Sequence, residues 1–240
     1  MIFKKKVFLK EVDSTNDYLI RLDNKINLDE GFVLISDFQH NGRGRIGKSW
    51  YSDYGKNLLF SFILKPKSLD LKKQFFLSMI ASLSIFEVLQ KNLDIKINIK
   101  WPNDVLVDKK KIAGFLLDLS ISSHKIKRCV IGCGININQK KFPELSNATS
   151  LALINESSIN KNIILNQFLD VFSRLYMDLK DEDFQKIKEK YLFLNKDFEF
   201  RTTVNGKKAN VQILDILEDG DVLALVNGVK EKLKSVFFEY

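Results

Sequence analysis

Four strand-like segments follow one another in quick succession in the middle of the chain, and this succession constrains the fold most. They are Ile95–Lys100, Val105–Val107, Lys111–Leu119 and Lys127–Asn138. Asp108-Lys109-Lys110 supplies a turn between the second and third segments, and a Ser-Ser-His turn precedes the fourth. We therefore expect these strands to form a largely antiparallel sheet, because short connections suit antiparallel neighbours.

Helical segments flank these strands. Leu71–Lys91 is long and apolar at helical spacing, and it is the clearest helix in the chain. A shorter helix is predicted from Thr15 to Leu22, with Asp13 or Ser14 as its cap. The other predicted elements are the strands Phe32–Ile35 and Leu58–Leu64 and the helices Lys161–Leu179 and Phe184–Tyr191. Together they predict an α+β fold: a mixed, largely antiparallel sheet with flanking helices.

The pattern changes from Lys196 onward to short strands broken by turn signals. Asn205-Gly206, Asp219-Gly220 and Asn227-Gly228 are strong hairpin signals. We therefore place a domain boundary near Asn195, with a main domain at residues 1–195. Residues 196–240 are predicted to form a small β-barrel.

The chain is basic: 38 Lys and Arg stand against 30 Asp and Glu, a formal net charge of +8 in 240 residues. A basic surface favours nucleic acid, acidic lipid or an acidic protein, but here the surplus is mostly scattered Lys. The longest apolar stretch, Phe75–Leu89, includes three serines and Glu87 and is too short and polar to span a bilayer. Since the N-terminus lacks a signal-peptide pattern, we expect a cytoplasmic protein with no membrane partner.

The two cysteines predict neither a disulfide nor a metal site. In an extended strand Cys129 and Cys133 would lie about 13 Å apart, whereas a disulfide needs Cα atoms within about 7 Å. His40 and His124 add no metal-ligand spacing. We expect reduced thiols in a core and no metal ligated by the protein.

A glycine- and arginine-rich segment from Gln39 to Trp50 is the most informative part of the sequence. Glycines at 42, 44 and 47 permit positive φ and let backbone N–H groups face an anion. Arg43 and Arg45 stay charged and offer forked donors that suit phosphate or carboxylate. We predict a functional loop at residues 37–49; a flexible, solvated basic loop is the alternative.

The same segment imitates two phosphate-binding patterns. Gly42-x-x-x-x-Gly47-Lys48-Ser49 fits the phosphate-loop expression, and Gly42-x-Gly44-x-x-Gly47 fits the dinucleotide-binding one. Both patterns require a helix directly after the glycines. Residues 50–57 have no helical periodicity and lead into a strand, so we expect neither fold.

Three further segments carry polar groups that suit a ligand. Pro102 in Lys100-Trp101-Pro102-Asn103-Asp104 should kink the chain and aim Asn103 and Asp104 off the sheet. Asp104 and Lys111 face each other across the predicted hairpin, beside the small pair Ala113-Gly114; a surface ion pair is the alternative.

The predicted strand Lys127–Asn138 contains two glycines, Gly132 and Gly134. Glycine weakens a strand, so its presence indicates close approach by a ligand or another backbone. The helix start at Ser14-Thr15-Asn16 offers N–H groups and hydroxyls that suit a carbonyl or ureido oxygen. A plain N-cap is the alternative reading there.

These segments, in this order, resemble the biotin–protein ligases. They are Asp13-Ser14-Thr15-Asn16, then residues 42–50, then Lys100-Trp101-Pro102-Asn103-Asp104 with Lys111-Ile112-Ala113-Gly114, then Gly132-Cys133-Gly134-Ile135-Asn136. The resemblance covers about residues 7 to 140. It implies the fold shared with class II synthetases, followed by a small SH3-like barrel.

The resemblance also implies roles for individual residues. Lys111, Arg43 and Arg45 would be catalytic. The biotin-binding residues would be Ser14, Thr15, Asn16, Gln39, Gly42, Arg43, Gly44, Arg45, Lys111 and Gly114. The residues for ATP and the adenylate would be Arg43, Arg45, Trp50, Asn103, Asp104 and Asn136.

The implied reaction uses ATP, biotin and Mg²⁺ and modifies a lysine of a biotin carboxyl carrier protein, a subunit of acetyl-CoA carboxylase. Thirteen residues precede Ser14, too few for the DNA-binding domain of many bacterial relatives, so we expect no DNA partner. A homodimer is possible. The rival readings are a lipoate or octanoate ligase or transferase of the same fold, and a nucleic-acid-binding module that uses Arg43, Arg45 and the surplus Lys.

Overall fold

The computed structural model describes residues 2–45, 47–67, 69–123, 125–143, 147–180, 183–195, 199–204 and 206–234. Ile46, His124 and Asn205, which carry part of the sequence predictions, lie outside the described residues, as do residues 196–198 and 235–240 of the predicted barrel. The strands of the main sheet are β1 (Lys5–Val12), β2 (Phe32–Gln39), β3 (Leu58–Leu64), β4 (Ile97–Lys100), β5 (Asp104–Val107), β6 (Lys110–Ser122) and β7 (Lys125–Ile135).

Within the described residues these strands form one seven-stranded sheet in the order β1-β2-β3-β7-β6-β5-β4. β1 pairs with β2 in parallel, and every other neighbouring pair is antiparallel. The predicted mixed, largely antiparallel sheet is therefore confirmed. Its central strands are buried on both faces: β3 is buried along its whole length.

Helices cover both faces of the sheet. They are α1 (Thr15–Ile26), α2 (Phe75–Asn92), α3 (Leu151–Ile154), α4 (Lys161–Lys180) and α5 (Phe184–Asn195). α1 packs on β2, β3 and β7, and its Leu19 shares a buried cluster with Leu34, Ile63 and Val130. The neighbouring strand residues, which point to the other face, belong to a larger core with α2 and α4.

The described part of the tail forms a separate four-stranded antiparallel sheet. Its strands are β8 (Glu199–Val204), β9 (Lys207–Ile216), β10 (Val222–Val226) and β11 (Val229–Leu233), in the order β11-β10-β9-β8. The predicted turn glycines Gly206, Gly220 and Gly228 all have positive φ. This curled sheet fits the small SH3-like barrel that we expected. Its buried residues continue the large core of the main body, and the division at residue 195 stays a prediction.

Several predicted boundaries need correction. β1 was missed, because this mostly exposed edge strand carries charged residues at both ends (Lys5, Lys6, Lys10 and Glu11) and reads as a charged terminus. β2 continues through Asp37 to Gln39, so the predicted loop begins later than expected. The helix predicted from Leu71 to Lys91 consists of a 3-10 turn at Leu71–Lys73 followed by α2. The four-residue α3 is too short to leave a periodic pattern in the sequence.

Both cysteines lie in β7, buried and unpaired, as predicted. Burial raises the pKa of each thiol far above its ordinary value, so neither is a ready thiolate. In the described part of the chain, no helix is long and apolar enough to cross a membrane.

Two glycines in the tail test how its sheet is anchored. Gly220 (φ +90°) would bring an added Cβ within 2.7 Å of the buried Phe75 ring at the start of α2, whereas Gly228 (φ +86°) has open space around it. Gly220→Ala should therefore cost about 3 kcal/mol of unfolding free energy, from backbone strain and overpacking together. Gly228→Ala should cost only the strain, about 1 kcal/mol. Urea unfolding of both variants measures the difference; equal losses would contradict the anchoring contact.

Candidate active site

A cavity of about 380 Å³ lies on the face of the sheet that α1 covers, between the start of α1, the loop after β2 and the β5–β6 hairpin. Among the described residues that line it, the ionisable side chains other than Tyr and Cys are six cations and a single carboxylate, Asp104. The cations are Arg43, Arg45, Lys48, Lys100, Lys109 and Lys111. Such a lining suits a ligand with several negative charges.

Most of the predicted site residues line this one cavity. They are Ser14, Thr15, Asn16, Gln39, Arg43, Gly44, Arg45, Trp50, Asn103, Asp104, Lys111, Gly114 and Asn136. Gly42 lies in the wall of a neighbouring cavity instead. An added Cβ at Gly42 would stand 2.5 Å from the carbonyl oxygen of Trp50. The absence of a side chain at residue 42 therefore allows residues 42 and 50, at the two ends of the loop, to lie close together.

One end of the cavity is formed by the N-terminus of α1. Ser14 is the N-cap, and its hydroxyl accepts from the backbone N–H of Asp17 at 3.4 Å. The backbone N–H and the hydroxyl of Thr15 both reach Gln39 Oε1, at 2.7 and 2.9 Å. Gln39 is thereby held at the end of β2 with its carbonyl oxygen toward the helix.

Behind this helix end lies a chain of buried oxygen atoms. Ser61 Oγ of β3 stands 2.7 Å from Thr15 Oγ1 and 2.6 Å from Asn16 Oδ1. The orientation of the Asn16 amide is set by its nitrogen, which donates to Asp118 Oδ2 at 2.7 Å. From Gln39 to Asn16 there are thus three short oxygen–oxygen contacts but two hydroxyl protons, one each from Thr15 and Ser61. This end of the cavity is rich in acceptors and suits a ligand that brings N–H donors.

The glycines of β7 make room for two of these side chains. An added Cβ at Gly132 would stand 2.1 Å from Asn16 Oδ1, and one at Gly134 would stand 2.4 Å from the Trp50 ring. The sequence predicted close approach by a ligand or another backbone at these glycines; the structure places protein side chains there. Trp50 forms a wall of the cavity, with Lys111 Nζ 5.3 Å from its ring centre. Its buried Nε1 has no hydrogen-bond partner among the residues that the structure describes.

The β5–β6 hairpin carries an ion pair into the cavity. Lys111 Nζ lies 2.8 Å from Asp104 Oδ1, and the Asp104 side chain is only 11% exposed. This is not the surface ion pair weighed as the alternative. The hairpin turns through Asp108 and Lys109, both with positive φ, and Gly114 leaves space for the pair, since an added Cβ would stand 3.1 Å from Asp104 Oδ1 and from Lys111 Cε.

The predicted kink at Pro102 is present, but the prediction for Asp104 was wrong. Residues 101–103 form a turn, but Asp104 does not leave the sheet: it is the first residue of β5 and pairs with Lys100 and Gly114. Asn103 is held from the turn, because its amide nitrogen donates to the Phe115 carbonyl at 2.9 Å. The sheet holds the Asp104 carboxylate at the cavity because its backbone is paired on both sides.

Asn136 reaches the cavity but uses its amide on the protein. Its nitrogen donates to the carbonyl of Thr149 at 3.0 Å. The segment held in this way pairs with Lys111, whose backbone N–H donates to Asn147 and whose carbonyl accepts from Thr149. Asn136 therefore supports the backbone that carries Lys111.

The glycine–arginine loop folds as a tight hairpin-like turn. Arg43 pairs with Ser49, Gly44 N–H donates to the Lys48 carbonyl at 2.6 Å, and Gly47 has φ +71°. No helix begins between residues 47 and 57, all of which the structure describes. The phosphate-loop and dinucleotide folds were correctly excluded.

The side chain of Arg43 is held by carboxylates. Its Nη2 lies 2.6 Å from Asp118 Oδ2 and 3.1 Å from Asp17 Oδ1. The guanidinium is 40% exposed, so the pairing is partly screened by water. Arg43 thus stands at the cavity mouth with protein partners.

Several polar residues of the site were given no role from the sequence, among them Lys48, Ser61, Lys100, Lys109 and Asp118. Lys100 is the first residue of the Lys-Trp-Pro-Asn-Asp motif. Burial lowers the pKa of its ammonium group, and the positive charges of Lys111 and Lys48 lower it further. Ser61 and Asp118 act through contacts with Asn16, which lies far away in sequence. No local pattern marks them.

Comparison with known proteins gives the family. Residues 8–136 match the model of the biotin/lipoate A/B protein ligase family. This is more than half of the chain and contains most of the cavity. The chain belongs to this family.

Curated relatives agree with this assignment. The bifunctional ligase/repressor BirA of Bacillus spizizenii is 32% identical over 186 residues, which are 76% of this chain and 57% of that protein. The biotin–[acetyl-CoA-carboxylase] ligase of Mycobacterium tuberculosis is 28% identical over 163 residues, 66% of this chain and 59% of the relative. The chain therefore spans somewhat more than half the length of these relatives.

A solved structure matches nearly the whole chain. The biotin protein ligase of Aquifex aeolicus, solved in complex with biotin and ATP, is 31% identical, with a TM-score of 0.82 over 99% of this chain and 98% of that one. A biotin protein ligase of Leishmania major, solved in complex with biotin, shares the fold at 21% identity with a TM-score of 0.63.

The contact between Gly134 and Trp50 can be tested without a ligand. β7 is paired on both sides, with β3 and β6, so a Cβ at residue 134 should push the Trp50 ring outward rather than move the strand. Gly134→Ala should raise acrylamide quenching of tryptophan fluorescence, since the other tryptophan, Trp101, is fully buried. Adding Trp50→Phe should remove the increase. Quenching equal to that of the parent protein would contradict the contact.

Proposed function

We propose that this chain is a biotin–protein ligase, which activates biotin with ATP and transfers it to a lysine of a carrier protein. The observation that carries the proposal is one cavity with two chemically different ends. One end is a buried, acceptor-rich cluster at Thr15, Gln39 and Ser61. The other gathers cations around Lys111. A bicyclic urea with a carboxylate tail, joined to a nucleotide, has matching groups at both ends.

The urea head of biotin would lie at the start of α1. Its two N–H groups would donate to the surplus acceptors of the cluster around Thr15, and its carbonyl oxygen would accept from the hydroxyl of Ser14. Asn16 and Gln39 would fix the cluster around it. A site whose buried polar groups need a partner discriminates strongly against a ligand that lacks one.

The first chemical step would be attack of a biotin carboxylate oxygen on the α-phosphorus of ATP. A bond to phosphorus forms, the bond to the bridging oxygen breaks, and pyrophosphate leaves with the electron pair, giving biotinyl-AMP. Lys111, Arg43 and Arg45 would stabilise the negative charge on the phosphate, where fixed donors act strongly in a dry site. Trp50, Asn103, Asp104 and Asn136 would form the nucleotide side of the cavity.

Mg²⁺ would enter this reaction with the nucleotide. The described residues contain no group of three or more His, Cys, Asp or Glu side chains that could hold a metal ion. Asp104 is the one carboxylate among the described residues that line the cavity. Mg²⁺ is often held by one or two carboxylates together with substrate phosphates. The residues therefore fit a metal carried by ATP, whose charge would draw the phosphates together.

In the second step the amine of a carrier lysine would attack the acyl carbonyl and expel AMP. The acyl adenylate is prone to hydrolysis, so the loop at residues 39–49 would have to exclude water. We propose the carboxyl carrier protein of acetyl-CoA carboxylase as the partner, because relatives of Mycobacterium tuberculosis and Paracoccus denitrificans are named as ligases for that enzyme. A cytoplasmic location, the absence of a DNA partner and a possible homodimer stay predictions from the sequence.

Biotin-dependent exchange of pyrophosphate into ATP tests the first step. Lys111→Ala and Arg43→Ala should each lower the exchange rate by about a hundredfold, because each removes a donor to the reacting phosphate. Lys110→Ala and Arg21→Ala are matched controls: both side chains lie outside the cavity lining, and Lys110 adjoins Lys111 on the same hairpin. The controls should keep the parent rate.

Circular dichroism establishes that all four variants fold. Full exchange by folded Lys111→Ala and Arg43→Ala would refute the assigned roles. Incubation of the parent with biotin, Mg-ATP and a carrier domain should add one biotin to the carrier in mass spectrometry. No added mass, with no exchange in the parent, would refute the proposed function.

The family that this chain matches also includes lipoate ligases, and the acceptor-rich cluster favours biotin over lipoate. The dithiolane ring of lipoate has no N–H group to offer the buried oxygens, which would be left unpaired. Lipoate should therefore bind at least about a thousandfold more weakly than biotin in calorimetry. Octanoate, which also lacks a polar head, serves as the control. Lipoate binding as tight as that of biotin would show a lipoate ligase instead.

A further inference from the structure

We infer that Asp118 is a positioning residue, whose single oxygen Oδ2 fixes both the biotin-binding Asn16 and the loop arginine Arg43. The inference rests on the proposed function and adds to it a residue on β6 that contacts the site from behind. Asp118 does not line the main cavity. It acts through the two side chains that do.

The geometry at Asp118 is that of a shared acceptor. Its Oδ2 accepts from Asn16 Nδ2 at 2.7 Å and from Arg43 Nη2 at 2.6 Å. An ionised carboxylate only accepts hydrogen bonds, so it fixes the nitrogen of the Asn16 amide on its own side. The Asn16 oxygen is then presented to Ser61, at 2.6 Å.

Among the described residues, Asp118 gives the Asn16 amide nitrogen its short hydrogen bond. This amide lies directly on Gly132, where an added Cβ would stand 2.1 Å from Oδ1, and its second contact, from Nδ2 to the Leu116 carbonyl, is long at 3.4 Å. If the amide turned over, its oxygen would face the Asp118 carboxylate and its nitrogen would face Ser61. Asp118 therefore determines that the oxygen of the Asn16 amide, and not its nitrogen, faces Ser61 in the acceptor-rich cluster.

Arg43 is tied to the same oxygen from the other side. It also contacts Asp17, at 3.1 Å, but Asp17 has no hydrogen bond to Asn16 among those seen in the described residues. This difference separates the two functions of Asp118. Loss of Asp17 disturbs the loop arginine alone, and loss of Asp118 disturbs the arginine and the biotin-binding amide together.

Biotin affinity without nucleotide measures the Asn16 function. Asp118→Asn keeps the size of the side chain but removes its charge, and it should weaken biotin binding about five- to tenfold in calorimetry, the difference between charged and neutral hydrogen bonds. Asp17→Asn should stay within about twofold of the parent. Asp118→Ser is a second variant with the same expected loss. Parent-like affinity in both Asp118 variants, or an equal loss in Asp17→Asn, would overturn the inference.

A double-mutant cycle excludes a merely structural role. If Asp118 acts through Asn16, then Asp118→Asn should add less than about twofold to the loss caused by Asn16→Ala, because contacting residues that act together are non-additive. Full additivity would mean that Asp118 affects binding by another route, and would overturn the inference.

Limited trypsin cleavage after Arg43 and Arg45 measures the loop function in the ligand-free protein. Both Asp118→Asn and Asp17→Asn should speed cleavage about two- to fivefold, as expected for loss of a partly exposed ion pair. Unchanged cleavage in Asp118→Asn would remove Arg43 from the inference. This readout needs no biotin, so it tests the Asp118–Arg43 contact separately from the proposed function. If the parent protein did not bind biotin, the proposed function would be refuted, and the cleavage rates would still test the contact.

Discussion

The pairing of β6 with β7 is the interaction on which the site depends. In this register Gly114 stands opposite Gly134, and Leu116 stands opposite Gly132. Three of these four positions are glycines, so the sheet is nearly free of side chains here on the face that α1 covers. A slip of one residue would turn every side chain of β6 to the other face, which would bring Phe115 into the place of Gly114. The paired glycines therefore fix where Asn16, Trp50 and the Asp104–Lys111 pair can lie.

Charge is the second constraint, since the cavity gathers cations that repel one another. Asp104 offsets Lys111 from within the cavity, and Asp118 and Asp17 offset Arg43 at its mouth. Burial lowers the pKa of Lys100, which reduces the same repulsion. In the state without ligand the protein supplies counter-charges that a polyanionic ligand would share or replace. The affinity of such a ligand therefore reflects the pairs that it displaces as well as the contacts that it makes.

Much of the fold follows from patterns that are local in the sequence. The bounds predicted for β3 match, the first turn of α1 begins after a predicted cap, and Gly206, Gly220 and Gly228 adopt the positive φ that hairpin turns require. The strand β1 escaped prediction because it lies at the edge of the sheet, paired with β2, and four of its eight residues are charged. Ser61 and Asp118 escaped for a related reason. Their importance comes from hydrogen bonds to α1, 45 and 102 residues away along the chain, and a single sequence does not show such pairings.

The two ends of the cavity differ in how far they are arranged before a ligand enters. At the start of α1, the buried side chains of Thr15, Asn16 and Ser61 and the half-buried Gln39 fix one another through hydrogen bonds between helix and sheet. At the mouth, Arg43 is held by part-exposed carboxylates, and such pairs are weak enough to exchange. Rigid acceptors suit recognition of a small neutral head group, where a misplaced atom loses a hydrogen bond. Exchangeable cations suit a reaction in which charge moves from one phosphate to another. Since Asp118 touches both sets through one oxygen, it is the point at which the fixed end of the site constrains the adjustable one.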